Sequence, residues 1–157
     1  MIEREIEVQL VSKIKELLKP ANENDANIQI DGLWDYKEDK GVQEDSVDGQ
    51  LFISVQPRSY QTPTIPTCQI PIVFTLVMRA ELDSDGRRYY EVCDKLMTQF
   101  ERWQKCLCDS HLDMTVPNEF EVTGYQLNGG QSLLDKTNKT WNYSQEMVVF
   151  GVVQQCV

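Results

Sequence analysis

IPIVFTLVMRAELDSDGRRYYEVCDKLMTQFERWQKCL, residues 70–107, is an apolar run that leads directly into an amphipathic one. In residues 70–82, apolar side chains alternate with a period of two on one face, and Val73, Thr75 and Val77 occupy the other. A strand that is apolar on both sides predicts an inner strand covered on both faces. Pro71 has no N–H, so the strand is expected to begin where no ladder bond is needed.

The same stretch continues with apolar residues spaced mostly by three and four, which is the pattern of one helical face. A helix of roughly 20 residues would be about 30 Å long and would cover most of one face of a sheet. We therefore expect this strand and this helix to form the core. The apolar residues of the helix are Tyr89, Cys93, Leu96, Met97, Phe100, Trp103 and Leu107.

A second amphipathic helix is predicted at the N-terminus, where apolar residues from Ile2 to Leu18 share one face and Pro20 ends the pattern. Glu3, Glu5 and Glu7 lie in its first turns, where the helix dipole favours negative charge. Its apolar face is expected to pack on the sheet or on the other helix.

The remaining strands are predicted from alternating or continuous apolar runs. They cover residues 28–30, 51–55, 120–127 and 140–154. The order of elements indicates an α+β fold over residues 1–157 as a single domain. We expect an antiparallel or mixed sheet of about four to five strands with two main helices packed on it.

The charge balance is acidic, with 15 Lys plus Arg against 25 Asp plus Glu, a net charge of −10. This argues against binding the outside of a nucleic-acid duplex, because that affinity comes from basic groups that neutralise phosphates. No apolar run approaches the ~20 residues that span a bilayer, and no signal peptide is seen, so no membrane contact is expected. Five cysteines without framework spacing favour a reducing, cytoplasmic setting.

Catalytic chemistry finds little support in the sequence. A triad or a Cys–His pair would have to use His111, the single histidine. Cys106 and Cys108 form a C-x-C pair, which lacks the usual spacing of zinc ligands, and no phosphate-binding glycine motif occurs. We therefore expect a protein that is not an enzyme, without catalytic, cofactor-binding or metal-binding residues.

Three segments are predicted to be loops. Residues 35–50 are acidic and expected to be mobile, residues 56–69 are proline-rich and expected to form an extended arm, and Gly129-Gly130 opens a polar loop through residue 139. Each segment is either a plain solvated loop or a contact with a partner. The candidate contact residues are Asp39, Glu44, Asp45, Tyr60, Thr62, Leu133, Leu134 and Trp141.

The layout as a whole resembles the tail terminator, or tail completion, proteins of long-tailed bacteriophages. The shared features are an N-terminal helix, two strands joined by a long arm and a helix rich in aromatic residues. They continue with FEVTGYQLNGG at residues 120–130, a polar loop, and TWNYSQEMVVFGVV at residues 140–153. The acidic insert at residues 35–50 and the last four residues have no counterpart in the resemblance.

The resemblance implies a small α+β protomer in a ring, six copies in the family, that caps the tail tube and stops its polymerisation. Such a ring joins the neck of the head and lets DNA pass without specific binding, and it would belong to the virion tail after assembly in the host cytoplasm. Its partners would be the tail tube protein, a neck or connector protein and further copies of itself. Two alternatives stay open: another head–tail connector subunit, and an acidic protein that inhibits a basic, DNA-binding partner.

Overall fold

A computed structural model describes residues 1–34, 47–62, 65–80, 86–105 and 114–154. These residues form two helices and six strands. The elements are α1 (Ile2–Leu17), β1 (Ile28–Gly32), β2 (Gly49–Val55), β3 (Ser59–Thr62), β4 (Ile65–Arg79), α2 (Arg87–Lys105), β5 (Phe120–Asp135) and β6 (Thr140–Val153).

All six strands belong to one mixed sheet. Its order is β1-β2-β4-β6-β5. The short β3 pairs with the first part of β4, and β2 pairs with the rest of β4. The β1–β2 pair is parallel and every other pair is antiparallel. The predicted α+β class is confirmed, with one strand more than the upper end of the expected range.

The core lies between the two helices and one face of the sheet, here called the covered face. Phe74 of β4 is fully buried there, and its ring centroid lies 4.6 Å from that of Phe100 in α2. The apolar stripe of α1, including Ile6 and Leu10, belongs to the same buried cluster as Leu51 of β2. The expectation that the helices pack on the sheet is therefore confirmed.

The opposite face of the sheet, here called the open face, has no helix on it among the described residues. Val73 and Thr75 are only half-buried, and Val77 is 37% exposed. The expectation that β4 is covered on both faces was wrong. Its apolar composition is misleading because its cross-strand neighbours are polar: Val73 pairs with Ser54 on β2 and with Glu146 on β6.

Residues 56–69 were expected to form an extended arm too long for a tight hairpin, and the structure corrects this. Ser59 pairs with Gln69 and Tyr60 with Cys68, so the segment folds back as a β-hairpin whose second strand continues into the long β4. Pro71 lies between the parts of β4 that pair with β2 and with β3, so no ladder bond needs its missing N–H. The strand does not begin there as expected, because β4 starts earlier, at Ile65.

The loop expected from residue 128 to residue 139 is also largely strand. β5 continues to Asp135, and the register shifts between Asn128 and Gly130, so Gly129 is the extra residue of a bulge and not part of a turn. The turn to β6 is short because the carboxylate of Asp135 accepts the backbone N–H groups of Thr137 at 3.0 Å and Asn138 at 3.1 Å.

Candidate functional site

The described residues contain no group of three or more His, Cys, Asp or Glu side chains that could hold a metal ion. Cys106, Cys108 and His111 lie outside the described residues. No described helix is long and apolar enough to cross a membrane. The features that remain as candidates are surfaces: the open face, the outer strands of the sheet, and the segments that lead into the predicted loops.

The open face mixes polar and apolar side chains and carries no positive charge in its middle. It consists of the even-numbered residues of β2 and β6, the odd-numbered residues 69–77 of β4, and their cross-strand partners on β1 and β5. None of these described residues is Lys or Arg, whereas Asp31, Glu121, Asp135 and Glu146 are acidic. Arg79, the next odd-numbered residue of β4, pairs with Thr140 at the end of this face. The carboxylate of Asp31 accepts hydrogen bonds from the side-chain amides of Gln29 at 2.8 Å and Gln50 at 2.9 Å, which fix its position on this face.

Two carboxylates of α1 are buried, although the sequence suggested only a dipole effect for them. Glu3 is held by Arg58, whose Nη1 donates to its two oxygens at 2.9 and 3.0 Å and whose backbone N–H donates at 3.1 Å. The Arg58 Nε donates to the hydroxyl of Tyr60 at 3.2 Å, so α1 positions the start of the β3–β4 hairpin.

The second carboxylate, Glu7, fixes the chain just after β1. It is 1% exposed and accepts the backbone N–H groups of Leu33 at 3.0 Å and Trp34 at 2.7 Å. A side chain at Gly32 would collide with this carboxylate, because a Cβ there would lie 2.5 Å from Oε2. Glu7 therefore anchors the point at which the chain enters the acidic segment.

The sequence did contain a signal for these anchors. Glu3 and Glu7 are four residues apart and continue the stripe of Ile6, Leu10 and Ile14, whereas Glu5 lies on the exposed face. A carboxylate on an apolar helix stripe indicates a buried acceptor with partners elsewhere in the chain.

The structure places the predicted contact residues in separate regions. Leu133 and Leu134 are 64% and 36% exposed near the end of β5, and Trp141 pairs directly with Leu134. Trp141 is half-buried and stacks on Tyr89 with ring centroids 5.3 Å apart, so much of its surface is used within the protomer.

Tyr60 is 50% exposed and lies on β3, at the other end of the sheet from Leu133. Thr62 ends that strand, and its side chain lies outside the description. Asp39, Glu44 and Asp45 all lie outside the described residues. The structure thus brings together Leu134 and Trp141, whereas Leu133, which pairs with Asn142, faces the opposite side of the sheet.

A cluster of ionisable side chains lies beneath β6, but it is structural. The Tyr89 hydroxyl lies 2.5 Å from Ser132 Oγ and donates to the Asn142 carbonyl at 2.8 Å. Burial raises the pKa of the Cys93 thiol to about 11 and that of the Tyr143 phenol to about 12. A thiol held protonated in this way is a poor nucleophile.

This cluster predicts a loss of stability at alkaline pH. Cys93 ionises near pH 9 when unfolded and near pH 11 when folded, so its contribution is complete below pH 9 and disappears as the pH rises through 11. We expect the free energy of unfolding, measured in urea at several pH values, to fall over this range. Cys93→Ala should show a smaller fall between pH 9 and 11, and an unchanged fall would contradict this explanation.

Comparison with known proteins adds no relative to these observations. No protein-family model matches the sequence, and no curated protein is significantly similar to it.

Proposed function

We propose that this chain is a structural protein of a phage or prophage that caps the tail tube as a ring and stops its polymerisation. In this role the ring also forms the joint to the neck of the head. The observation that carries the proposal is the two-layer arrangement, with both helices on one face of the sheet and an uncovered face without Lys or Arg in its middle. The resemblance of the element order to tail terminator proteins supports the same reading.

The open face suits a channel through which DNA moves without being held. Binding to DNA requires cations that replace the counterions of the phosphates, and each missing cation weakens that binding. Asp31 and Glu146, with the amides and hydroxyls around them, would repel or ignore the phosphate backbone. The net charge of −10 acts in the same direction.

The partners in this proposal are further copies of the chain, six in a ring, together with the tail tube protein and a neck or connector protein. The site of action would be the virion tail, after assembly in the host cytoplasm. Glu3 and Glu7 support this role because they hold the starts of two segments predicted to reach partners. Another head–tail connector subunit would use the same features and remains the second candidate.

The inhibitor alternative is less well supported. A protein that occupies a basic, DNA-binding partner needs its carboxylates on one surface. Among the described residues they are spread out: Glu3 and Glu7 are buried, Glu91 and Asp94 lie on the exposed side of α2, and Glu146 lies on the open face.

The decisive experiment mixes the chain with tail tube protein from the same genome during tube polymerisation. We expect tubes to stop growing at substoichiometric amounts of the chain, and electron microscopy to show an additional ring at one end. The mass of the chain alone, measured by light scattering, shows whether the ring forms before or only on the tube. Tubes of unchanged length without bound protein at high concentration would contradict the proposal.

A second experiment changes the charge of the open face, and a variant of α2 serves as its control. Glu146→Lys together with Asp31→Lys should still cap tubes but should retain DNA on the ring at low salt, because it introduces cations into the proposed channel. A variant with lysines at Glu91 and Asp94, on the exposed side of α2, changes the net charge equally and should not retain DNA.

A further inference from the structure

The two outer edges of the sheet are open in the described part of the chain. β5 is the last strand on one side and β1 the last on the other, and no described strand pairs with either outer edge. An unpaired edge presents a row of backbone N–H and C=O groups, and proteins usually block such a row.

The first half of the β5 edge is blocked by side chains. The outward N–H of Val122 donates to Thr115 Oγ1 at 3.3 Å, and that of Leu127 donates to Gln104 Oε1 at 2.8 Å. Beyond the bulge at Gly129 the edge carries neither proline nor charge until Asp135. Protection is thus confined to the half of the strand that lies nearer Phe120.

The outward residues of both edges follow from the directions of the backbone hydrogen bonds. The Leu33 N–H donates to the Ile53 carbonyl, so the odd-numbered residues of β1 face β2, and Ile28, Ile30 and Gly32 face outward. On β6 the even-numbered residues face β5, because the Ala80 N–H bonds to the odd-numbered Lys139 on the β4 side. Their partners on β5 face inward, which leaves three outward residues in the unprotected half: Gly130, Ser132 and Leu134.

These two sets of three residues lie at the same height along the strands, measured by following residue pairs across the sheet. Following the pairs across it, Ser132 lies beside Tyr143, then Leu76, then Leu51, then Ile30. By the same route Gly130 reaches the level of Gly32, and Leu134 reaches the level of Ile28. Because β1 and β2 are parallel and the other pairs are antiparallel, β5 runs opposite to β1, so β5 of one copy would run antiparallel to β1 of a copy placed beside it in the same orientation. The edges are therefore complementary without any shift along the strands.

Side chains fit this juxtaposition as well. A groove of about 340 Å³ runs between the β1 edge and α1, lined by Val8, Val11, Ile30 and Gly32 among others. An added β5 edge would place Ser132 beside this groove, opposite Ile30, and would place Leu134, which is 36% exposed on the covered side of β5, opposite Ile28. Val8 is exposed within the single chain, although it is apolar.

We propose that residues 130–134 of one copy pair antiparallel with residues 28–32 of the next copy, with Ser132 opposite Ile30 and Leu134 opposite Ile28. The contact joins opposite edges of the sheet, so it is head-to-tail, and repeating it generates a ring when the rotation from one copy to the next closes. The inference rests on the proposed ring function for the number of copies. The edge contact itself rests on the geometry of the sheet.

The direct test is a disulfide between copies. Leu133 and Gln29 would lie opposite each other on the open face as a pair without hydrogen bonds, about 4.5 Å apart at Cα, which suits a disulfide. We expect the full chain carrying Leu133→Cys and Gln29→Cys to form a ladder of cross-linked multimers under mild oxidation. Non-reducing gels would show the ladder, which should end at the size of the ring.

The matched control moves one cysteine along the same strand. Gln126 lies on the same face of β5 as Leu133. Their partners on β6 are six residues apart, so the two positions are separated by about 20 Å at 3.3 Å per residue. Gln126→Cys with Gln29→Cys should therefore give no more cross-linking than either single variant. Equal ladders from both pairs, or no ladder from the first pair at concentrations that give a ring by light scattering, would overturn the proposal.

A second test removes the backbone donor of the edge. Ser132→Pro loses an N–H that faces outward, so no bond within the protomer is lost, whereas Ser132→Ala removes only the hydroxyl that contacts Tyr89. With both variants folded by circular dichroism, we expect proline to lower the multimer fraction at least about tenfold relative to alanine. Equal assembly of the two variants would overturn the edge contact.

These outcomes separate the two proposals. If the chain caps tubes but fails the cross-link and proline tests, the proposed function stands and this interface is wrong. If the chain cross-links specifically but does not bind tail tubes, the proposed interface stands and the proposed function is wrong.

Discussion

Phe74→Ala is expected to lower the free energy of unfolding by about 3–5 kcal/mol, the range for removing a buried phenylalanine from a core. Phe74 has no exposed surface and lies in the middle of β4, with its ring tilted against Phe100 of α2 at 4.6 Å. The cavity would open between the strand and the helix at their main contact, where the backbone of a central strand cannot move to fill it. Urea unfolding followed by circular dichroism measures the loss.

The control for this prediction is Val77→Ala on the same strand. Val77 lies on the open face and is 37% exposed, so its truncation should cost less than about 1 kcal/mol in the single chain. The ratio of the two losses reports whether one face of β4 is covered or both. Comparable losses at a protein concentration too low for assembly would show that something covers the open face.

This difference between the faces shows what the sequence could establish. The period-two pattern of β4 and the helical pattern of α2 depend only on neighbours along the chain, and both were predicted correctly. Which face is covered depends on the residues that lie across the sheet. Val73 pairs with Ser54 and Glu146, and Thr75 pairs with Phe52 and Ser144. No local pattern contains that pairing.

The segments with prolines and glycines were the least predictable. Pro57, Pro63 and Pro66 suggested an extended arm or protruding loop, yet Tyr60, which precedes Pro63, pairs with Cys68, which follows Pro66, in a hairpin. Gly129 suggested a turn, yet its place is a bulge within a long strand. Both residue types mark breaks in regular structure, but the breaks were interruptions of strands instead of their ends.

The candidate site was predictable only in part. Leu133 and Leu134 were identified as contact residues, and both are exposed at the unprotected end of β5. The match between that edge and β1 could not be seen in the sequence, because it follows from four successive registers across the sheet. The anchors Glu3 and Glu7 were visible as part of an apolar stripe and were attributed to the helix dipole instead.

Glu7→Ala is the second large effect that we expect, a loss of about 2–3 kcal/mol in the free energy of unfolding. The Trp34 N–H donates to this carboxylate at 2.7 Å and would lose that acceptor, and a buried unsatisfied donor costs about 1–3 kcal/mol. The Leu33 N–H also donates to the Ile53 carbonyl at 3.1 Å, so it would keep one partner and limit the loss. Glu7→Gln retains one acceptor oxygen and should lie between the wild type and Glu7→Ala.

The control is Glu5→Ala, which removes a carboxylate from the exposed face of the same helix turn and should change stability by less than about 0.5 kcal/mol. Hydrogen exchange distinguishes a local effect from a global one. In Glu7→Ala, the amides of Leu33 and Trp34 should exchange faster even under conditions where the core amides of β4 remain protected. Unchanged exchange at these two amides would contradict the role of Glu7 as an anchor.

If the acidic segment that follows Trp34 reaches a neighbouring copy, the same variant should also assemble less well at temperatures where it is still folded. The reason is that releasing the start of that segment adds to the entropy lost on assembly.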